Sequence, residues 1–75
     1  MPVYKVIFSF LRIRAGPSTS DDCVGEYYYG DYINSGGYPF ENEGRLWVQY
    51  YGAQTGVARY VCHTDVDGTR YLEEV

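Results

Sequence analysis

The sequence is poor in the residues that most enzymes need: it has one histidine, His63, and only two cysteines. Nucleophilic catalysis requires a base beside the nucleophile. His63 follows Cys62 directly, and neighbours on a strand point to opposite faces, so the adjacency argues against a Cys–His pair. No Gly-x-Ser-x-Gly occurs. These absences lead to the expectation that the chain is not an enzyme. Positive charge is also scarce. Ten acidic residues face six basic ones, a formal charge of −4, and the arginines are scattered. Such a chain repels phosphate backbones, so no nucleic-acid partner is expected.

Long hydrophobic runs are missing as well. The most apolar stretch, VYKVIFSFLRI, is broken by Lys5, Ser9 and Arg12. It is too short to span a bilayer and lacks a small-residue cleavage site. The expectation is no membrane insertion and a cytoplasmic chain, secreted only if a precursor has been trimmed. Cys23 and Cys62 read as reduced, buried small hydrophobes rather than a disulfide. The stretch DVDG (Asp65, Asp67, Gly68) alternates carboxylates but lacks the further oxygens that a calcium loop uses. It reads as a turn with solvated carboxylates, and neither a metal nor a cofactor is expected.

What the chain does have is tyrosine. Its 75 residues include ten Tyr, three Phe and one Trp. A chain of this length forms a single domain, residues 1–75, and buries only about 60% of the surface its unfolded form exposes. Its core is thin, so several rings must remain on the surface, where exposed aromatic area marks contact with something.

The patterning is that of short strands joined by glycine turns. Residues 3–8 alternate and form a first strand. In residues 11–14, Leu11 and Ile13 face inward while Arg12 and Arg14 face solvent. A polar loop follows at 15–22. Strands are predicted at 23–29 and 32–35, with Gly30-Asp31 as the turn between them. Residues 36–44 read as a long irregular loop. In the strand 45–51, Leu46, Val48 and Tyr50 share one face and Trp47, Gln49 and Tyr51 the other. GAQTG turns the chain into a partner strand at 57–61, and 69–75 forms the last strand. The fold class is all-β, a small closed barrel of five to seven short strands.

The stretch LRIRAGPSTSDDCVGEYYYGD resembles the opening motif of bacterial-type Src-homology-3 domains. Leu11, Ile13, Arg14, Gly16, Pro17, Ser18, Val24, Gly25, Tyr27 and Gly30 fall on that pattern. Trp47-Val48 and GAQTGVA continue it, so the resemblance covers residues 3–62. It departs at Val57, where the family has Trp, and the segment 63–75 extends beyond the family's usual end. The resemblance implies a Src-homology-3-like barrel. It also implies a non-catalytic module that attaches hydrolases or surface proteins to cell walls by binding peptidoglycan peptides or glycan. In such a barrel the loops 15–22 and 36–44 lie side by side with Trp47 between them.

The candidate site is therefore an aromatic groove between these loops. Residues two apart on one strand face sit about 7 Å apart, so Trp47 and Tyr51 would line up beside an extended ligand. Tyr38 and Tyr60 are further walls. Gln49, Asn42, Glu43 and Asp22 supply polar partners at the rim. The expected ligand is a carbohydrate or cell-wall glycan, bound in a lectin-like manner. The alternative is an extended peptide, as in a protein–protein module regulating a partner enzyme. Tyr28 and Tyr29 flank a turn as a second patch. A free-standing lectin of this size needs several sites to cross-link, so a homo-oligomer is expected.

Overall fold

The computed structural model describes residues 2–35, 37–52 and 56–75. It contains eight strands: β1 (Val3–Val6), β2 (Phe10–Arg14), β3 (Cys23–Tyr28), β4 (Tyr32–Asn34), β5 (Phe40–Asn42), β6 (Arg45–Tyr51), β7 (Ala58–Thr64) and β8 (Leu72–Glu74). Among the described residues there is no helix. Two antiparallel sheets form, ordered β4-β1-β8 and β3-β2-β7-β6-β5. The all-β, small barrel-like fold is the one that the strand patterning implies.

Backbone hydrogen bonds stitch the two sheets at both corners. On one side Gly30 N–H donates to Val6 O (2.9 Å) and Val6 N–H to Asp31 O (2.8 Å). On the other, Tyr71 N–H donates to His63 O while Ile7 N–H donates to Tyr71 O, each at 2.9 Å. The segment 63–75 is therefore part of the barrel. Leu72 is fully buried and β8 pairs with β1, Val6 opposite Leu72.

The core lies between the sheets: Tyr4, Val6, Leu11, Ile33, Val48, Tyr50, Val61 and Leu72. Ile13, Tyr27, Cys62 and Tyr71 pack against it. Gly25 lies opposite Ile13 in the β2–β3 ladder, and a Cβ there would come within 3.2 Å of Ile13 Cδ1. The missing side chain makes room for Ile13 to fold inward. The Tyr4 hydroxyl is buried with no hydrogen-bond partner among the described residues.

Several boundaries differ from the sequence reading. The eighth strand is β5, inside the segment read as an irregular loop. Phe40, Glu41 and Asn42 pair with Trp47, Leu46 and Arg45. The hairpin closes through Glu43 and Gly44, both at positive φ (57° and 76°), as a two-residue type I′ turn requires. A three-residue strand beside glycine and proline leaves too little alternation to read. The partner of β6 starts at Ala58 and runs to Thr64; Ala53, Gln54 and Thr55 of the GAQTG turn lie outside the described residues. The last strand spans three residues because Thr69–Tyr71 are spent on the turn and the corner. Leu46 is exposed, at a register shift between Leu46 and Trp47. Cys23 is also exposed, where a register shift pairs it with Arg14 and leaves Val24 over. This corrects the reading of Cys23 as a buried hydrophobe; both cysteines are free thiols.

Candidate functional site

The five-stranded sheet turns one face to the core and the other outward. Across the outer face run two cross-strand rows. Arg14, Tyr60 and Gln49 are register partners across β2, β7 and β6, and Cys62, Trp47 and Phe40 across β7, β6 and β5. A groove opens on either side of this band.

The first groove holds about 180 Å³ and is lined by Gly37, Tyr38, Phe40, Gln49 and Tyr51. Tyr38 is 70% exposed and Tyr51 62%. Gln49 reaches them from β6, its Nε2 donating to Tyr60 Oη at 3.2 Å. Tyr60 in turn meets Phe40 edge to face, ring centroids 6.3 Å apart. Four predicted residues, Tyr38, Tyr51, Gln49 and Tyr60, are thus brought together.

Two residues that sequence reasoning missed complete this groove. Phe40 forms its floor. Ser35, 1% exposed, pins the segment carrying Tyr38 onto β6. Its Oγ accepts Gly37 N–H (3.0 Å) and lies within donating distance of Gly37 O (2.7 Å) and Gln49 O (3.0 Å). A serine ahead of a glycine pair is a turn signal, and the hydroxyl's bonds back to local backbone are what that signal means.

The remaining predicted residues do other work. Trp47 is 1% exposed and cannot present its ring to an extended ligand. Period two put it on the outer face correctly, but the loop 15–22 covers that part of the face. Trp47 Nε1–H donates to Asn42 O (3.1 Å), and Asn42 Nδ2–H donates to Pro17 O (2.7 Å). The two loops do adjoin with Trp47 between them, as a lid and its floor. Asn42 is consumed in holding that closure. Glu43 sits at the β5–β6 hairpin tip, and Asp22 is exposed, its carbonyl accepting Ala15 N–H. Glu43 and Asp22 line neither of the two grooves beside the band.

The second groove, about 250 Å³, lies over the opposite half of the band. Arg12, Arg14 and Arg45 line it, with Trp47 and Cys62 beneath and Phe8, Phe10 and Tyr71 along one rim. Asp65 is the one carboxylate in its lining. The DVDG turn is not merely solvated: Asp65 Oδ1 accepts Arg45 Nε–H (3.0 Å) and Oδ2 accepts the Tyr71 hydroxyl (2.5 Å). That hydroxyl, with Val66 N–H and Arg45, holds the Asp65 carboxyl below its ordinary value. The same bond, with burial, pushes Tyr71 up to about 12. Burial lifts the Cys62 thiol to about 11, so it stays neutral at physiological pH. His63 lies away from Cys62 chemistry, its Nδ1 2.7 Å from Thr64 Oγ1 and its ring edge-on to Tyr4. Among the described residues no cluster of His, Cys, Asp and Glu has metal-binding geometry, and no helix is long and apolar enough to cross a membrane.

No family model matches the sequence, and no curated protein matches it. Solved structures do. The crystal structure of Ly7917 is 28% identical, with a TM-score of 0.73 over 97% of this chain. The crystal structure of Ly7917 with the hydrolyzing product of MDP is 27% identical, with a TM-score of 0.75 over 99% of it. This chain spans about a third of the length of those chains, 32% in each case. The second structure corrects the expectation, drawn from scarce catalytic residues, that enzymatic chemistry is foreign to this protein. The whole fold recurs inside a protein captured with a product of hydrolysis. Counting candidate nucleophiles in a single domain says nothing of the activity of a longer protein that contains such a domain.

Proposed function

We propose that this chain is a Src-homology-3-like recognition domain of a cell-wall hydrolytic system. Its ligand is a carbohydrate or peptidoglycan fragment taken into the Tyr38–Tyr51 groove. One observation carries this reading: two exposed tyrosines, Phe40 and a tethered Gln49 converge in one shallow groove. Flat rings pack on the C–H faces of sugars or on extended peptide. Gln49 Nε2 is held by Tyr60, and its remaining amide capacity faces the hydroxyls or amides of the ligand. The likeness to Ly7917 supports a ligand of the same kind. Reading MDP as muramyl dipeptide, that ligand is a sugar carrying a short peptide.

Titration of the protein with muramyl dipeptide and larger peptidoglycan fragments, followed by calorimetry, tests this. Saturable binding that Tyr51→Ala weakens about tenfold, a loss of ~1.4 kcal/mol, is the expected result. Failure of every fragment and of isolated wall sacculi to bind rejects the reading. Mass spectrometry of muramyl dipeptide after incubation reports in the same samples whether hydrolysis accompanies binding.

A further inference from the structure

The arginine groove is chemically separate from the tyrosine groove and is not needed for the reading above. We propose that it is a second binding site, for the C-terminal carboxylate of a short peptide ending in an apolar residue.

The first argument is charge. The chain carries −4 overall and only six basic residues, yet three of them, Arg12, Arg14 and Arg45, line one groove. The single carboxylate among them, Asp65, is already committed to Arg45 and Tyr71. Arg12 and Arg14 form no ion pair among the described residues. Glu26 lies opposite Arg12 in the β2–β3 register but forms no ion pair with it. A predominantly basic groove in an acidic protein attracts and orients a single anion. The charge of the rest of the chain disfavours a polyanion.

The second argument is unused hydrogen-bonding capacity. A guanidinium carries five N–H donors. Arg14 spends one, from Nη1 to Asp21 O at 3.2 Å, and this bond fixes its direction. Arg12 has no hydrogen-bond partner among the described residues and rests over the Phe10 ring, its Cζ 5.6 Å from the centroid. One fork fixed and a second free beside the same groove match the planar, two-oxygen geometry of a carboxylate.

The third argument is shape. At about 250 Å³ the groove falls below the ~300 Å³ at which small-molecule pockets begin. It accommodates the end of a chain rather than a whole ligand. Phe8 and Phe10, 41% and 40% exposed, stand beside the arginines, with Phe8 braced edge-on against Tyr71 at 4.9 Å. An apolar side chain next to the carboxylate packs on these rings.

The test uses the intact chain, labelled with nitrogen-15, and three probes: N-acetyl-Ala-Leu, the same dipeptide with a C-terminal amide, and inorganic phosphate. The free acid is expected to shift the Arg12, Arg14 and Thr19 signals saturably, with the amide at least about tenfold weaker. Arg12→Gln, at an exposed residue outside the core, is expected to weaken the acid to the level of the amide while the spectrum stays dispersed. Arg14→Gln gives an independent second reading. Equal binding of acid and amide, the absence of shifts at these residues, or indifference to both substitutions overturns the proposal. Phosphate binding as tight as the acid also overturns it, since the groove then selects anions in general. Failure of the tyrosine groove to bind wall fragments leaves every one of these outcomes unaffected.

Discussion

One groove of this small barrel is walled by Tyr38, Tyr51 and Phe40, the other by Arg12, Arg14 and Arg45. Both sit on the outer face of the same five-stranded sheet, on either side of the band through Trp47 and Tyr60. Their construction differs. The tyrosine groove is made by neighbours in sequence: β5, β6 and the segment that Ser35 ties down. The arginine groove draws on β2, the loop after it, β6 and the turn before β8, and it is tuned by the Arg45–Asp65–Tyr71 cluster. A face built locally offers rings. A face assembled from distant segments offers charge whose neutralisation is set by partners far along the chain. Trp47 lies beneath the arginine groove alone, a buried floor rather than a contact surface; its register partner Phe40 serves the tyrosine groove.

The sharpest way to break this comparison is to remove the floor of the arginine groove. Trp47→Ala deletes a fully buried indole and leaves Asn42 O without its donor, and is expected to cost about 3–5 kcal/mol. Denaturant unfolding should show this large loss. A loss under ~1 kcal/mol would mean that Trp47 is not the floor. Next in size is Ser35→Ala, which strips the bonds holding Gly37 to β6. A cost of about 1–3 kcal/mol is expected for leaving buried backbone groups unsatisfied. Only the tyrosine groove should lose binding, which separates the two faces.

Acidity provides a smaller perturbation with a defined sign. Burial, aided by Arg70 and opposed by Glu74, lowers the His63 pKa from its ordinary 6.5, so the fold holds the neutral ring. That stability is complete above pH 6.5 and is lost as pH falls through the folded value. The depressed Asp65 pKa acts likewise, below its ordinary 3.8. Tyr71 is the opposite case. Its stability is complete below its ordinary 10.0 and is lost as pH rises toward about 12. Thermal melts across pH should fall in these windows, and Asp65→Asn should reduce the lowest acid step and the alkaline one together, leaving the contributions of Asp67 and of Cys62. An unchanged alkaline step would detach Tyr71 from Asp65. The smallest effect is expected from Tyr4→Phe, which touches neither groove. It removes a buried hydroxyl with no partner among the described residues and should stabilise the protein by up to about 1 kcal/mol.

Much of this was legible in the residues. The strand 45–51 was read to the residue, because its alternation is long and unbroken. Leu11 and Ile13 face inward as period two requires. Tyr38 and Tyr51 are displayed because a chain this short has no interior to take them. Trp47 shows the limit: alternation assigns a face, not whether a loop lies over it. The closure from Pro17 through Asn42 to the indole joins residues far apart in sequence. The Asp65 cluster was hidden for the same reason. A turn motif announces local bonds, while the partners that matter, Arg45 and Tyr71, are set by tertiary pairing.

The central claim is that Tyr38 and Tyr51 act as a ligand platform and not as core. The most direct measurement is a paired one on Tyr38→Ala and Tyr51→Ala: folding stability, and binding of a peptidoglycan fragment, on the same samples. The account predicts stability within ~0.5 kcal/mol of the parent chain, as for exposed sites generally, with affinity falling about tenfold for each. Unchanged affinity, or a loss of stability that accounts for the loss of binding, would contradict it.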